Sequence, residues 1–166
     1  MRIFKPQIFS VQADLELPFK FGTIETGLKF NQFRNSADLK YLNFENNQYI
    51  IDEEKGSIFD YQEENYAVYG SFVKTIGEHW ETKAGLRYEN TFVKSSATNF
   101  NYGQWFPSAF VSYKVEKNVF SLSYSRRINR PSMSNLNPFR WYENPYSYST
   151  GNPLLKPSYI NNYEFI

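Results

Sequence analysis

The chain has 166 residues, with 18 Lys and Arg against 17 Asp and Glu, one His and no Cys. That length suffices for one domain with a sizeable core, and the missing Cys excludes a disulfide framework, a Cys-ligated metal centre and a thiol nucleophile. A formal net charge of +1 gives no global basis for binding nucleic acid, and a composition that is 41% hydrophobic and 20% aromatic is too apolar for disorder.

The aromatic residues (16 Phe, 14 Tyr and 3 Trp) sit in short apolar runs, which favours strands over helices. No stretch approaches the ~18 consecutive apolar residues of a membrane helix. A mean hydropathy of −0.60 is still compatible with a transmembrane β-barrel, because alternating strands average to a polar-looking sequence. The opening MRIFKPQIFS has no apolar core or small-residue cleavage site of a secretory signal. Two expectations follow: a cytosolic protein, or a natural chain that starts upstream of Met1.

In chain order, the first strand is the clearest. Phe9, Val11, Ala13, Leu15 and Leu17 interleave with Ser10, Gln12, Asp14 and Glu16, so a one-residue slip would reverse both faces. Next, Ile24, Thr26, Leu28 and Phe30 alternate with Thr23, Glu25, Gly27, Lys29 and Asn31. Residues 65–74 (NYAVYGSFVK) are apolar on both faces and leave their orientation open. Around 80–91, Trp80, Thr82, Ala84, Leu86 and Tyr88 oppose Glu81, Lys83, Gly85, Arg87 and Glu89; a helix would scatter these apolar residues around its cylinder. Residues 105–115 place Trp105, Ala109, Val111, Tyr113 and Val115 on one face, with Pro107 marking a strand start or a bulge. Residues 118–128 set Phe120, Leu122 and Tyr124 against Ser121, Ser123, Ser125 and Arg127. Residues 158–166 form a last strand. The fold class is therefore all-β: an antiparallel up-and-down meander of about seven strands without a convincing helix.

The connections alternate between tight (18–22, 75–79, 115–118) and long (35–60, 95–104, 129–157). A meander sends these to opposite ends of the sheet, as in outer-membrane barrels with short periplasmic turns and long external loops. A soluble or extracellular β-sandwich binding module, using the aromatic 129–157 loop for recognition, is the alternative reading. That loop holds Pro131, Pro138, Pro145, Pro153 and Pro157 together with several Asn and aromatic residues, a composition for an ordered, contact-making loop.

From Tyr124 onward, YSRRINRP (Tyr124–Pro131), LNPF (Leu136–Phe139) and GNPLLKP (Gly151–Pro157) resemble the barrel portion of TonB-dependent outer-membrane receptors, in the outer-membrane β-barrel branch common in Bacteroidetes. ADLELPFKFGTIETGLKF, KAGLRYENT and WFPSAFVSYKV are similar to that family's hairpins. The resemblance covers the chain from about residue 9. It implies a barrel of about 22 strands around a plug domain, importing a scarce or large nutrient with energy passed on by the TonB system. No plug and no TonB-contacting segment is recognisable here, so residues 1–166 are expected to be a partial outer-membrane barrel domain, an interior fragment that transports nothing alone.

On this reading Val11, Ala13, Leu15, Leu17, Ile24, Leu28, Phe30, Ala84, Leu86 and Tyr88 meet lipid, and Asp14, Glu16, Glu25, Lys29, Lys83, Arg87 and Glu89 face the lumen. Trp80, Trp105 and Phe120, near strand ends, would form interfacial girdles. The cluster Arg126, Arg127 and Arg130 suits lipopolysaccharide phosphates or internal salt bridges; nucleic acid would need a broader basic and aromatic surface. Asp52, Glu53 and Glu54 read as a solvated loop run, with a calcium site as the sharper alternative. His79 has no second ligand nearby in sequence. Arg140, Trp141, Tyr142, Tyr146 and Tyr148 are the ligand-contact candidates, because aromatic faces suit sugars, chelates or peptides and Arg suits anions. Packing of those aromatics against the barrel mouth is the plainer reading. No phosphate loop, nucleophile elbow or metal-spaced pair is present, so neither an enzyme, a cofactor nor a metal is expected. The expected partners are outer-membrane lipid and lipopolysaccharide, the plug and the TonB system of an intact parent, and an unidentified imported substrate.

Overall fold

The computed structural model describes residues 2–144 and 146–166, apart from the side chains of 2–4, 45 and 53–55. A short strand β1 (Arg2–Phe4) precedes six long ones: β2 (Gln7–Phe19), β3 (Gly22–Glu45), β4 (Gln48–Ile76), β5 (Trp80–Ser95), β6 (Asn99–Val115) and β7 (Asn118–Asn129). A four-residue helix α1 (Met133–Leu136), a small hairpin of β8 (Trp141–Asn144) and β9 (Ser147–Ser149), and the final strand β10 (Ser158–Phe165) follow. From β2 to β7 each strand pairs antiparallel with the next, and β10 closes on β7. The last ladder continues to Ile166, which exchanges backbone hydrogen bonds with Ser121. Among the described residues one sheet holds all the long strands, and the other is the short two-stranded β8–β9 hairpin, too small to cover a face as a sandwich requires.

Register fixes the faces. Leu15 pairs with Thr26, Thr26 with Gly70, Gly70 with Leu86 and Leu86 with Pro107. This row and its two-residue neighbours form one aliphatic and aromatic face. The row one residue away carries Asp14, Glu16, Glu25, Lys29, Lys83, Arg87 and Glu89. The ambiguous 65–74 segment is settled by its neighbours: Tyr66, Val68 and Phe72 join the aliphatic face, while Tyr69 turns to the charged face and donates its hydroxyl hydrogen bond to Asp14. Tyr69 also lies over Gly27, where a Cβ would fall 2.6 Å from its ring, so the glycine makes room for the ring on that face.

The tight turns fall at 20–21, 77–79 and 116–117, all at one end. The opposite end departs from the sequence reading. Residues 35–60 are not a loop. Strands β3 and β4 run on through them as a hairpin of 24 and 29 residues, roughly two to three times what a tilted strand needs to cross a bilayer. The tip is the pair Asn46 and Asn47 at φ 49° and 63°, the two left-handed positions that a two-residue hairpin turn demands and Asn tolerates. Residues 95–104 likewise contract to a turn at 96–98. The polar composition misled because, beyond the membrane band, neither face of a hairpin has to be apolar. Pro107 lies inside β6 rather than at its start. It is paired with Leu86 on one side, and the ladder to β7 begins only at Ser108 on the other, so its missing donor sits beside a strand edge. Trp105 is therefore also mid-strand.

Two aromatic belts bound the aliphatic face. Trp80 lies against Tyr113 with ring centroids 4.5 Å apart, and Tyr88 against Trp105 at 4.8 Å. Eight residues separate the belts on β5, roughly 27 Å along a strand. At the tilt usual in barrels this leaves a band of about 20 Å, close to the apolar band of outer-membrane proteins. Phe30, Tyr66 and Phe92 continue the upper belt across β3 to β5.

Candidate functional site

Above the upper belt the 130–157 segment folds back onto the charged face of the sheet. Leu136 is buried to 3% exposure among Ala37, Phe59, Tyr61 and Val93, with Met133 and Phe139 packed beside it. Phe59, fully buried, comes from the stretch that its sequence marks as polar loop. Burying side chains of this size contributes about 1.5–3 kcal/mol each, so the segment is docked by its own apolar anchors. Pro131 ends β7, Ser132 precedes α1 in extended conformation, and Asn137 leaves the helix extended.

The two halves of the loop are joined through the motifs that carried the resemblance. Gly151 N–H donates to Asn137 O at 2.8 Å and Asn152 N–H to Asn135 O at 2.7 Å. Thr150 Oγ1 donates to Pro138 O at 2.7 Å. Asn137 and Asn152 each accept from the backbone N–H two residues on, the local turn for which Asn is suited. A Cβ on Gly151 would meet Asn135 O at 2.5 Å and Asn137 O at 2.6 Å. Backbone oxygens cannot rotate away, so Gly151→Val is expected to destabilise the docked loop by about 1–3 kcal/mol. The check is faster proteolytic cutting within 130–157 of the full-length protein, with the barrel still assembled.

An ion cluster ties the loop's root to the sheet. Arg130, one residue past β7, donates to Glu89 Oε2 at 2.6 Å, Thr91 Oγ1 at 3.3 Å and the Tyr102 hydroxyl at 3.2 Å, and lies 3.6 Å from Glu63. Glu89 is also held by Arg87 at 3.1 Å and by the Asn65 amide at 3.3 Å. Asn65, Glu89 and Thr91 are all buried. Burial opposes the Arg130 charge, yet its hydrogen bond to Glu89 leaves the guanidinium pKa raised, so it stays a cation. Burial and then the hydrogen bond to Glu63 push the Tyr61 phenol far above its ordinary range, keeping it a neutral donor.

The basic triplet expected to act together is thus split. Arg130 turns onto the charged face, Arg126 lies 5.1 Å from the ring centroid of Tyr159, and Arg127 is exposed. Of the other charged-face residues, Glu25 is bridged to Lys83 and accepts from Ser71. Lys29 joins Arg87, Glu89 and Arg130 around a small cavity of about 180 Å³. Glu16 faces Glu25 across the ladder.

Three of the five ligand candidates, Arg140, Tyr142 and Tyr148, gather at one place beyond the buried anchors. The Arg140 guanidinium lies 4.8 Å from the Tyr148 ring centroid, Tyr148 is 5.6 Å from Tyr142, and Tyr142 meets Tyr41 edge-on at 5.6 Å. Tyr41 links the β3–β4 hairpin to this group, its hydroxyl accepting from Tyr142 N–H at 2.9 Å. Trp141 lines a neighbouring cleft of about 590 Å³ with Asp38, Asn135, Asn137, Thr150 and Asn152. Tyr146 is almost fully exposed on the β8–β9 turn and stands apart from the group. Tyr41 was missed because it lies 101 residues from Tyr142, in a stretch without alternation. Asp52 accepts from Asn43 at 3.2 Å, whereas the calcium reading also needs Glu53 and Glu54, which lie outside the described side chains. His79 sits in the 77–79 turn, 6.0 Å from the Tyr113 ring. Among the described residues no group of three His, Cys, Asp or Glu comes together as a metal site.

A single meander with one face aliphatic between two aromatic belts, and the other charged and carrying an infolded loop, is the wall of a transmembrane β-barrel. The chain belongs to the outer membrane protein beta-barrel family, which it matches over residues 4–166, and its place is the outer membrane. Among solved structures it is similar to the copper transporter OprC, with a TM-score of 0.73 and 15% identity over 99% of this chain. That likeness is one of fold, and the chain spans 27% of that protein's length. Comparison with curated proteins gives no match.

Proposed function

We propose that residues 1–166 are a section of the barrel wall and outer loops of a TonB-dependent receptor, which imports a scarce or large nutrient across the outer membrane. The observation that carries this is the division of the sheet into a mainly aliphatic and aromatic face, whose Lys74 pairs with Thr82 next to the lower belt, and a charged face that bears its own docked loop. A barrel that only anchors itself has no need of a polar interior narrowed by an ordered segment. In this reading Asp14, Glu16, Glu25, Lys29, Lys83, Arg87 and Glu89 line a wet lumen where a plug domain is held by polar contacts. The long β3–β4 hairpin and the docked loop form the outer vestibule. Outer-membrane lipid and lipopolysaccharide surround the aliphatic face.

Substrate is met first by Arg140, Trp141, Tyr142 and Tyr148, with Tyr146 at the rim. Tyr142 is held edge-on by Tyr41 and tilted against Tyr148, so their contact area is presented at small cost in side-chain freedom. The chemistry of this reading is binding and release. Trp141→Ala with Tyr142→Ala in the complete receptor is expected to weaken substrate binding at least tenfold, while the barrel still migrates in heat-modifiable form. Unchanged binding by assembled protein would remove these residues from the site. The transport reading itself is tested by measuring whether the full-length protein binds the periplasmic domain of TonB. Binding is the expected result, and its absence would leave a barrel without energised import.

A further inference from the structure

Directly above the upper aromatic belt, the side of the sheet that carries the aliphatic rows turns polar. By register the row Phe9, Gln32, Glu64 and Phe92 crosses β2 to β5, and two residues higher, about 7 Å along the strands, comes the row Gln7, Arg34, Gln62 and Lys94. The next row on the same face pairs Ser36 with Asp60. Lys5 N–H donates to Ser36 O at 3.3 Å and Asp60 N–H to Ser96 Oγ at 3.0 Å, which extends it to both sides. These two rows surround a hollow of about 500 Å³. Asn35 and Tyr61, which alternate with them, turn to the opposite face, where Asn35 donates to Met133 Sδ at 3.1 Å and Tyr61 packs with Leu136. Three cations, Lys5, Arg34 and Lys94, thus stand exposed around one hollow, with Asp60 as the one carboxylate among the described residues lining it. Among the described residues none of the three is ion-paired. Glu64, in the row below, already accepts from Gln32 at 2.8 Å, Gln62 at 2.7 Å and the Tyr66 hydroxyl at 3.1 Å.

We infer that this hollow seats a phosphate of lipopolysaccharide, the phosphorylated glycolipid of the outer leaflet, held by Lys5, Arg34 and Lys94. Continuity with the lipid-facing surface argues for that occupant. The two rows share their face with Leu15, Leu28, Val68 and Leu86, so a lipid whose acyl chains lie on those side chains has its head just above the aromatic belt. Charge argues for it too. Three like charges around one hollow repel one another until an anion is shared between them. A phosphate takes the Arg34 guanidinium as a fork and the two ammonium groups as point charges, and the Gln7 amide and the hydroxyls of Ser36 and Ser96 suit the sugar oxygens beside it. Imported cargo passes along the other face and does not meet these residues. The inference rests on outer-membrane placement and does not depend on transport.

The test uses the full-length protein purified from outer membranes in mild detergent, with Arg34→Gln and Lys94→Gln combined. Lys20→Gln with Lys117→Gln is the reference, the same loss of charge on exposed residues at the tight turns. Lipopolysaccharide retained per barrel is read by native mass spectrometry, on protein whose heat-modifiable migration shows assembly. The expected result is a load lowered roughly tenfold or more by the first pair and unchanged by the second. Equal loads in wild type and the first pair, or an equal loss in both pairs, would overturn the inference. A co-purified phospholipid in place of lipopolysaccharide would overturn it too. A second measurement needs no variant: the delipidated wild-type barrel is titrated with lipopolysaccharide and with its dephosphorylated form. Tighter binding of the phosphorylated form is expected, and equal binding of the two would remove the phosphate from the site.

Discussion

Arg130→Ala is expected to destabilise the complete barrel by about 3–5 kcal/mol, because it leaves Glu89 buried after losing its closest cation. Glu89 keeps Arg87 at 3.1 Å, but that guanidinium is itself 45% exposed and screened by water. Three further donor contacts, to Thr91, to Tyr102 and toward Glu63, vanish together, so the loss is local and large. The loop root is freed with them, and cutting by protease within 130–157 should rise in parallel. Arg127→Ala, on an exposed residue three positions from the loop root, should stay within about 0.5 kcal/mol. Denaturant unfolding of the refolded barrel in lipid, read by tryptophan fluorescence, measures both. Equal effects for the two arginines would remove the ion cluster from the account.

The second large effect concerns the other face. Ala84 lies midway between the Trp80 and Tyr88 belts and pairs with Ala109 and Phe72. Ala84→Arg removes no packing, so its cost is that of placing a guanidinium in hydrocarbon, about 2–4 kcal/mol near the bilayer midplane. On a surface facing water the same change would fall within about 0.5 kcal/mol. Unfolding in lipid vesicles gives the difference directly, and a near-zero value would mean that this face does not meet lipid.

Where a strand had to satisfy lipid on one side and water on the other, its sequence carried the answer. The alternations Phe9 to Leu17 and Trp80 to Glu89 specify face and register alike, since a slip of one residue would bury charge in hydrocarbon. The tight turns were equally plain. Legibility fails above the membrane band. Between 35 and 60 both faces are free to be polar, so a regular hairpin looks like a loop, and fully buried Phe59 carries no local mark of its burial. Arg130 sits beside Arg126 and Arg127 in sequence, yet its partners Glu63, Glu89 and Tyr102 lie 28 to 67 residues away in three other strands. No local pattern reports such a meeting. The loop's composition gave its order and its aromatic character, while its direction, back onto the charged face, comes from Leu136, Met133 and Phe139 finding a hydrophobic patch that only the assembled strands create.

In a barrel wall of this kind β5 separates lipid from water residue by residue. The chain contains no Cys, so single Cys substitutions can be read one at a time, in the complete protein on a Cys-free background. Glu81, Lys83 and Arg87 would be replaced in turn, then Thr82, Ala84 and Leu86, and each protein in native outer membranes exposed to a water-soluble thiol reagent. Rapid labelling at 81, 83 and 87 with protection at 82, 84 and 86 is the expected result. Equal labelling of the two sets, or protection of the charged one, would contradict it.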